Sequence, residues 1–227
     1  MHLLALCVLL ILSSLPAFAN LLASPSTPYS LGGTVTTVDL TGVALGHNPD
    51  VVGTGWAIDF TPNASSDPDW GVVVGAKTGK YAIPYAGPGQ PWSGQYLSVA
   101  PNTSITINFT DPQAGLAFLW GSVDTYNSMT VSFSNGQTYT GAQAAAAAGI
   151  NANGFQGYGG SAWIAINPDP GNTTFQSVTF TSTQYAFEIA GVQASTGGYG
   201  VPDGGMTLML LGGALVGLET LRRKFRS

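Results

Sequence analysis

Charge is what this sequence has least of. Of 227 residues, 6 are Lys or Arg and 11 are Asp or Glu, so charged residues make up 7%, against about 25% in an ordinary soluble domain. Positive charge is the rarer sign: between residues 20 and 200 only Lys77 and Lys80 stand against nine acids, a net charge of −7. A surface with two cations cannot neutralise a run of phosphates, which excludes nucleic-acid binding. Cysteine is nearly absent. Cys7 sits inside the leading apolar run, so a chain that loses this run has no disulfide and no thiolate ligand or nucleophile. Beyond His2, histidine occurs once. A Ser-His-Asp relay would depend on His47, whose Gly-His-Asn-Pro-Asp setting reads as a solvated turn, and one His without Cys argues against zinc. The sequence does have 44% hydrophobic and 11% aromatic residues, a composition that folds. One domain suits this length.

Both ends read as addressing segments. Residues 3–12 form an apolar run about as long as a signal-peptide core and too short to span a bilayer comfortably. Pro16 breaks the run. Ala17-Phe18-Ala19 then supplies the small-x-small pattern that a signal peptidase accepts, predicting a cut between Ala19 and Asn20. At the other end, Val201-Pro202-Asp203-Gly204-Gly205 precedes an apolar stretch of 16 residues (206–221) and the basic cluster Arg222, Arg223, Lys224 and Arg226. As a helix that stretch is roughly 24 Å long, short of a hydrocarbon core of about 30 Å. The basic cluster behind it belongs on the cytoplasmic side. The body would then lie outside, joined through a Gly-rich linker at 197–200.

The order of turn motif, short apolar helix and Arg-Arg-Lys tail resembles the PEP-CTERM sorting signal in its VPDSG-type form, with Gly204 where that form has Ser. The resemblance implies export through the inner membrane with removal of residues 1–19 by signal peptidase. It further implies transient insertion of a transmembrane helix within 201–227, recognition by an exosortase, and delivery to the cell surface or the exopolysaccharide matrix. A permanent single-pass anchor is the plain alternative.

Between the two ends, strand signals recur with Gly and Pro turns at 35–40, 51–60, 70–76, 96–99, 103–109, 116–123, 129–133, 137–140, 162–167, 175–181 and 185–192. Alternation is cleanest where Ile105, Ile107 and Phe109 oppose Ser104, Thr106 and Asn108. It recurs where Tyr185, Phe187 and Ile189 oppose Ala186, Glu188 and Ala190. One helix is expected at 142–148, closed by Gly149. The pattern predicts an all-β surface domain over 20–196, an antiparallel, jelly-roll-like β-sandwich. Asn135-Gly136 marks a hairpin, and a three-residue loop with Gly136 in the left-handed region would set Tyr139 opposite Val131. Gly-rich 154–160 reads as a flexible loop.

Two body segments, Leu119-Trp120-Gly121-Ser122-Val123-Asp124-Thr125-Tyr126-Asn127 and the run from Phe175 through Tyr185 to Glu188, resemble a family of exosortase-dependent surface proteins carrying this same type of C-terminal signal. That family has no established enzymatic activity, so the resemblance implies a location rather than a chemistry.

The side chains that could carry chemistry are few. Trp92 on a loop, Trp163 beside Ile164, and Trp120 with Asp124 and Tyr126 are the candidates for stacking on and binding a sugar. Most of the five tryptophans, however, read as core or edge cover. No cofactor is assigned. Calcium is the one ion that the oxygen donors suit, through Asp67 and Asp69 with Asn63, or through Asn167 and Asp169, although neither set matches a defined calcium loop. A glycosidase needs two carboxyls across the scissile bond. Glu188 is the only glutamate of the body and no partner is picked out, which leaves Glu188 and Asp124 as the residues to replace. The expectation is a non-enzymatic surface or matrix protein associated with biofilm or exopolysaccharide. A carbohydrate-binding module is the alternative, and a glycosidase the third reading.

Overall fold

The computed structural model describes residues 21–47, 51–61, 69–132, 136–167 and 174–197. The expected signal peptide with Ala17, Ala19 and Asn20, the motif at 201–205, the apolar stretch and the basic tail lie outside the described residues, as do Asn63, Asp67 and Asp169. In chain order the described strands are β1 (Leu21–Ser24), β2 (Val35–Thr37), β3 (Val51–Gly53), β4 (Trp56–Thr61), β5 (Gly71–Val73), β6 (Tyr85–Gly87), β7 (Gln90–Pro91) and β8 (Tyr96–Val99). Then come β9 (Thr103–Gln113), β10 (Gly115–Gly121), β11 (Asn127–Val131), β12 (Gln137–Thr140), helix α1 (Gly141–Ala148), β13 (Ala162–Ile166), β14 (Phe175–Ser182) and β15 (Phe187–Ser195).

All pairings are antiparallel. One sheet runs β1-β13-β10-β15-β8-β5, with β2 also paired to β15; the other runs β12-β11-β14-β9-β4-β3; β6 and β7 form a small ribbon of their own. The expected all-β sandwich is therefore present. Its core lies between the two sheets, where Ile105, Ile107, Phe109 and Phe180 of one meet Leu116, Phe118, Trp120 and Phe187 of the other. Phe118 and Phe187 approach Phe180 edge-on at 5.3 and 5.5 Å, and Trp120 stacks on Phe187 at 4.2 Å. Such aromatic pairs add to the area they bury.

The second sheet shows the alternation its sequence promised. Ile105, Ile107 and Phe109 face inward, while the opposite face carries a polar ladder: Thr106 to Thr179 (2.9 Å), Ser128 to Thr181 (2.6 Å) and Asn108 to Asp59 (2.7 Å).

In β15 the alternation changes phase. Leu119 pairs with Ala190 but Ala117 with Gln193, so one extra residue is accommodated there, with Gly191 at φ 57°. Phe187 and Ile189 face the core before this bulge, and Val192 and Ala194 after it. A Cβ at Gly191 would lie 3.0 Å from the Trp92 ring, a second reason for glycine there.

Helix α1 follows the expectation, and its start is explained by a capping box: the Thr140 hydroxyl accepts from the Gln143 N–H, and the Gln143 side chain accepts from the Thr140 N–H. Gly149 closes it at φ 68°. The 51–60 run divides into β3 and β4 around a turn with Gly55 at φ 82°. The β11–β12 register differs from the expectation. Met129, not Val131, sits opposite Tyr139, and Val131 pairs with Gln137. A slide of two residues preserves the face, which is why Tyr139 still joins Met129 and Val131 in the core.

Candidate functional site: a covered carboxylate pair beside an open groove

The outer face of the first sheet is not left to solvent. Residues 74–95, with β6 and β7, fold back over it. The Tyr96 hydroxyl reaches the carbonyls of Gly75 (2.5 Å) and Ala82 (2.9 Å). The Tyr85 N–H donates to Ser161 Oγ (3.0 Å), and Trp163 Nε1–H donates to the Ala86 carbonyl (2.9 Å). Val73, Tyr96, Leu119 and Ala190 form a second, smaller apolar cluster under this cover, with Tyr81, Trp92 and Trp163 packed against it.

Glu188 stands on that outer face and is covered with it, at 1% exposure. Its Oε1 accepts from the Ala82 N–H at 2.8 Å, and its Oε2 has no hydrogen-bond partner. Burial pushes the carboxyl up to about 8; the Asp124 charge adds to the rise, and the Ala82 N–H and Ser122 hydroxyl oppose it. The sequence placed Glu188 on the polar side of an alternating strand. It is on that side, but the side is dry.

Asp124 reaches the same place from the turn after β10. The Val123 carbonyl accepts from Gly154 N–H (3.2 Å), and Asp124 forms a bridge with Asn153. Gly154 lies so close that a Cβ there would be 2.5 Å from Asp124 Oδ2. Burial raises the Asp124 carboxyl, against the lowering effect of the Tyr126 hydroxyl. Tyr126 donates to the Tyr185 carbonyl at 2.7 Å, and its own phenol is raised by burial first and by Asp124 second. Glu188, Asp124, Ser122, Tyr126, Gln156, Tyr185 and Lys80 thus line one cavity of about 110 Å³. Lys80 Nζ donates to the Tyr185 hydroxyl (2.8 Å), sits 4.1 Å over that ring and lies 4.0 Å from Asp69, which also pairs with Lys77.

The two residues named for an enzymatic test therefore do meet, although no spacing in the sequence linked them. Sequence reasoning missed the cover. Its signal was present: Gly115–Gly121 and Ala162–Ile166 read as nearly continuous apolar runs, the mark of a sheet buried on both faces.

The other candidates separate. Trp120 is fully buried in the core, so it offers no ring to a ligand, and Trp56 and Trp70 are buried as well. Trp92 and Trp163 are half-buried and converge over Gly191. Trp92 borders a groove of about 360 Å³ with Leu97, Gln95, Asp39 and Gln193, a size within the roughly 300–1,000 Å³ of small-ligand pockets. Asp39 is held below the usual carboxylate range by the Thr41 N–H and hydroxyl. His47 is not in a solvated turn: it stacks on Trp70 at 4.8 Å, with Nδ1 buried. Residues 154–160, expected to be a flexible loop, pack on their own backbone, with Phe155 exposed: the Gly160 N–H donates to the Gly157 carbonyl at 3.0 Å, and a Cβ at Gly160 would strike the Phe155 carbonyl. Among the described residues no group of three or more His, Cys, Asp or Glu side chains is placed to hold a metal ion. The chain matches no family model and no curated protein.

Proposed function

We propose that this is an exported, non-enzymatic surface or matrix protein, sorted by an exosortase through its C-terminal motif and associated with biofilm or exopolysaccharide. The observation that carries the reading is the order Val201-Pro202-Asp203-Gly204-Gly205, a 16-residue apolar stretch, then Arg222, Arg223, Lys224 and Arg226. The body supports it. The sandwich has no cysteine and needs no oxidising step. Its first described strand begins at Leu21, just beyond the predicted cut after Ala19, and its last described strand ends at Ser195, so the expected processing at either end spares every described strand. A bare ladder of hydroxyls and a low cationic charge suit a surface that stays hydrated and unattached to nucleic acid. Two partners act in transit, signal peptidase and exosortase, and the inner membrane is a waypoint.

Deleting residues 222–227 tests the reading. The truncated chain should accumulate as an unprocessed, membrane-associated precursor, read by its size and fractionation. Surface delivery at the level of the intact chain overturns it.

A further inference from the structure

The cavity between Glu188 and Asp124 has properties that the sorting reading leaves unused. A buried polar atom ordinarily finds a partner, yet Glu188 Oε2 has none. Two buried carboxyls lining one cavity do not both ionise without a compensating charge. Lys77 and Lys80 both pair with Asp69. The lining is rich in oxygen, with two carboxyls, the Ser122 hydroxyl, the Tyr126 phenol and the Gln156 amide and no imidazole or sulfur; Lys80, which also lines it, turns its Nζ to the Tyr185 hydroxyl and to Asp69. Oxygen donors of this kind select hard cations. The volume of about 110 Å³ holds an ion and a few waters at roughly 30 Å³ each, and falls below the roughly 300 Å³ at which organic-ligand pockets begin. Ser122, at φ 37°, is held in the left-handed region beside these carboxyls.

We propose that this cavity is a calcium site, with Glu188 Oε2 and the Asp124 carboxylate as its charged ligands and Ser122, Tyr126, Gln156 and water as neutral ones. Calcium is favoured over magnesium because it accepts six to eight oxygens in irregular geometry, whereas magnesium demands a near-ideal octahedron. The ion would partner the orphaned oxygen and let both carboxyls ionise under their cover. Because Glu188 also holds the Ala82 N–H, filling the site would fix residues 74–95 to the sheet. The proposal stands independently of the sorting reading.

The test uses the purified full chain stripped with EDTA. Terbium should give saturable luminescence sensitised by Tyr126 and Tyr185, calcium should displace it, and Tm should rise with calcium concentration. Glu188→Gln keeps the shape and an acceptor for Ala82, and Asp124→Asn removes the second charge. Each should weaken calcium by at least about tenfold, while Asp39→Asn, on an exposed loop, should leave it unchanged. Circular dichroism establishes that each variant folds, and if one does not, the other decides. A wild-type chain with no calcium-dependent rise in Tm and no displacement of terbium overturns the proposal. So does binding in the folded variants that is as tight as in wild type.

Discussion

The two outer faces of this sandwich differ: one stands open and the other is covered. On the second sheet, Thr106 pairs with Thr179, Ser128 with Thr181 and Asn108 with Asp59 on a face that no segment covers among the described residues. On the first, the corresponding layer holds Leu119, Ala190, Tyr96 and Glu188 beneath residues 74–95. Strand alternation tells which side chains share a face. Whether that face is wet depends on a segment elsewhere in the chain. The consequence is chemical. A glutamate on the open face would be an ordinary solvated acid, while the same residue under the cover has its carboxyl raised to about 8.

The largest effect that separates inside from covered outside is a tryptophan truncation. Trp120→Ala, which empties the fully buried site against Phe187, should cost about 3–5 kcal/mol. Trp163→Ala, on the covered face, should cost roughly 1–3 kcal/mol because its ring is only partly buried. Urea denaturation measures both, and equal costs would mean that the cover is as integral as the core. Next comes pH. The Glu188 carboxyl is raised in the folded chain from 4.5 to about 8, so the folded state binds the proton more tightly than the unfolded one. Its contribution is fully present below pH 4.5 and is lost as pH rises through about 8, a loss on the order of a few kcal/mol. In EDTA, Glu188→Gln should flatten Tm against pH over that window, and a wild-type profile already flat would contradict the burial argument. The smallest effect belongs to the open face: the double change Thr106→Val and Thr179→Val should move stability by less than about 1 kcal/mol, read by the same denaturation.

Legibility followed the same division. The sandwich, the strands at 96–99 and 137–140, the inward set Ile105, Ile107 and Phe109, and helix α1 were readable because each depends on a local period, cap or turn. The β11–β12 register was off by two residues, a shift that alternation cannot detect because it preserves the face. The phase change at Gly191 was missed because a single left-handed glycine in a strand looks like any other glycine. The Glu188–Asp124 cavity needed the folding of 74–95 over β15, a contact across about a hundred residues, and nothing in the neighbourhood of either acid announces it. Of the tryptophans, sequence separated Trp92 and Trp163 from the interior but not Trp120, whose polar successors suggested a site.

The placement of β15 has a consequence in time. This last described strand lies in the middle of its sheet, between β10 and β8, with β2 beside it as well. Likewise β9 waits for β14 in the other sheet. Neither layer can close until the chain has been made nearly to Ser195, and such long-range pairings form slowly. A chain emitted from its N-terminus therefore stays open through most of its synthesis. The cover over Glu188 is then sealed last, in whatever ionic medium the finished protein meets.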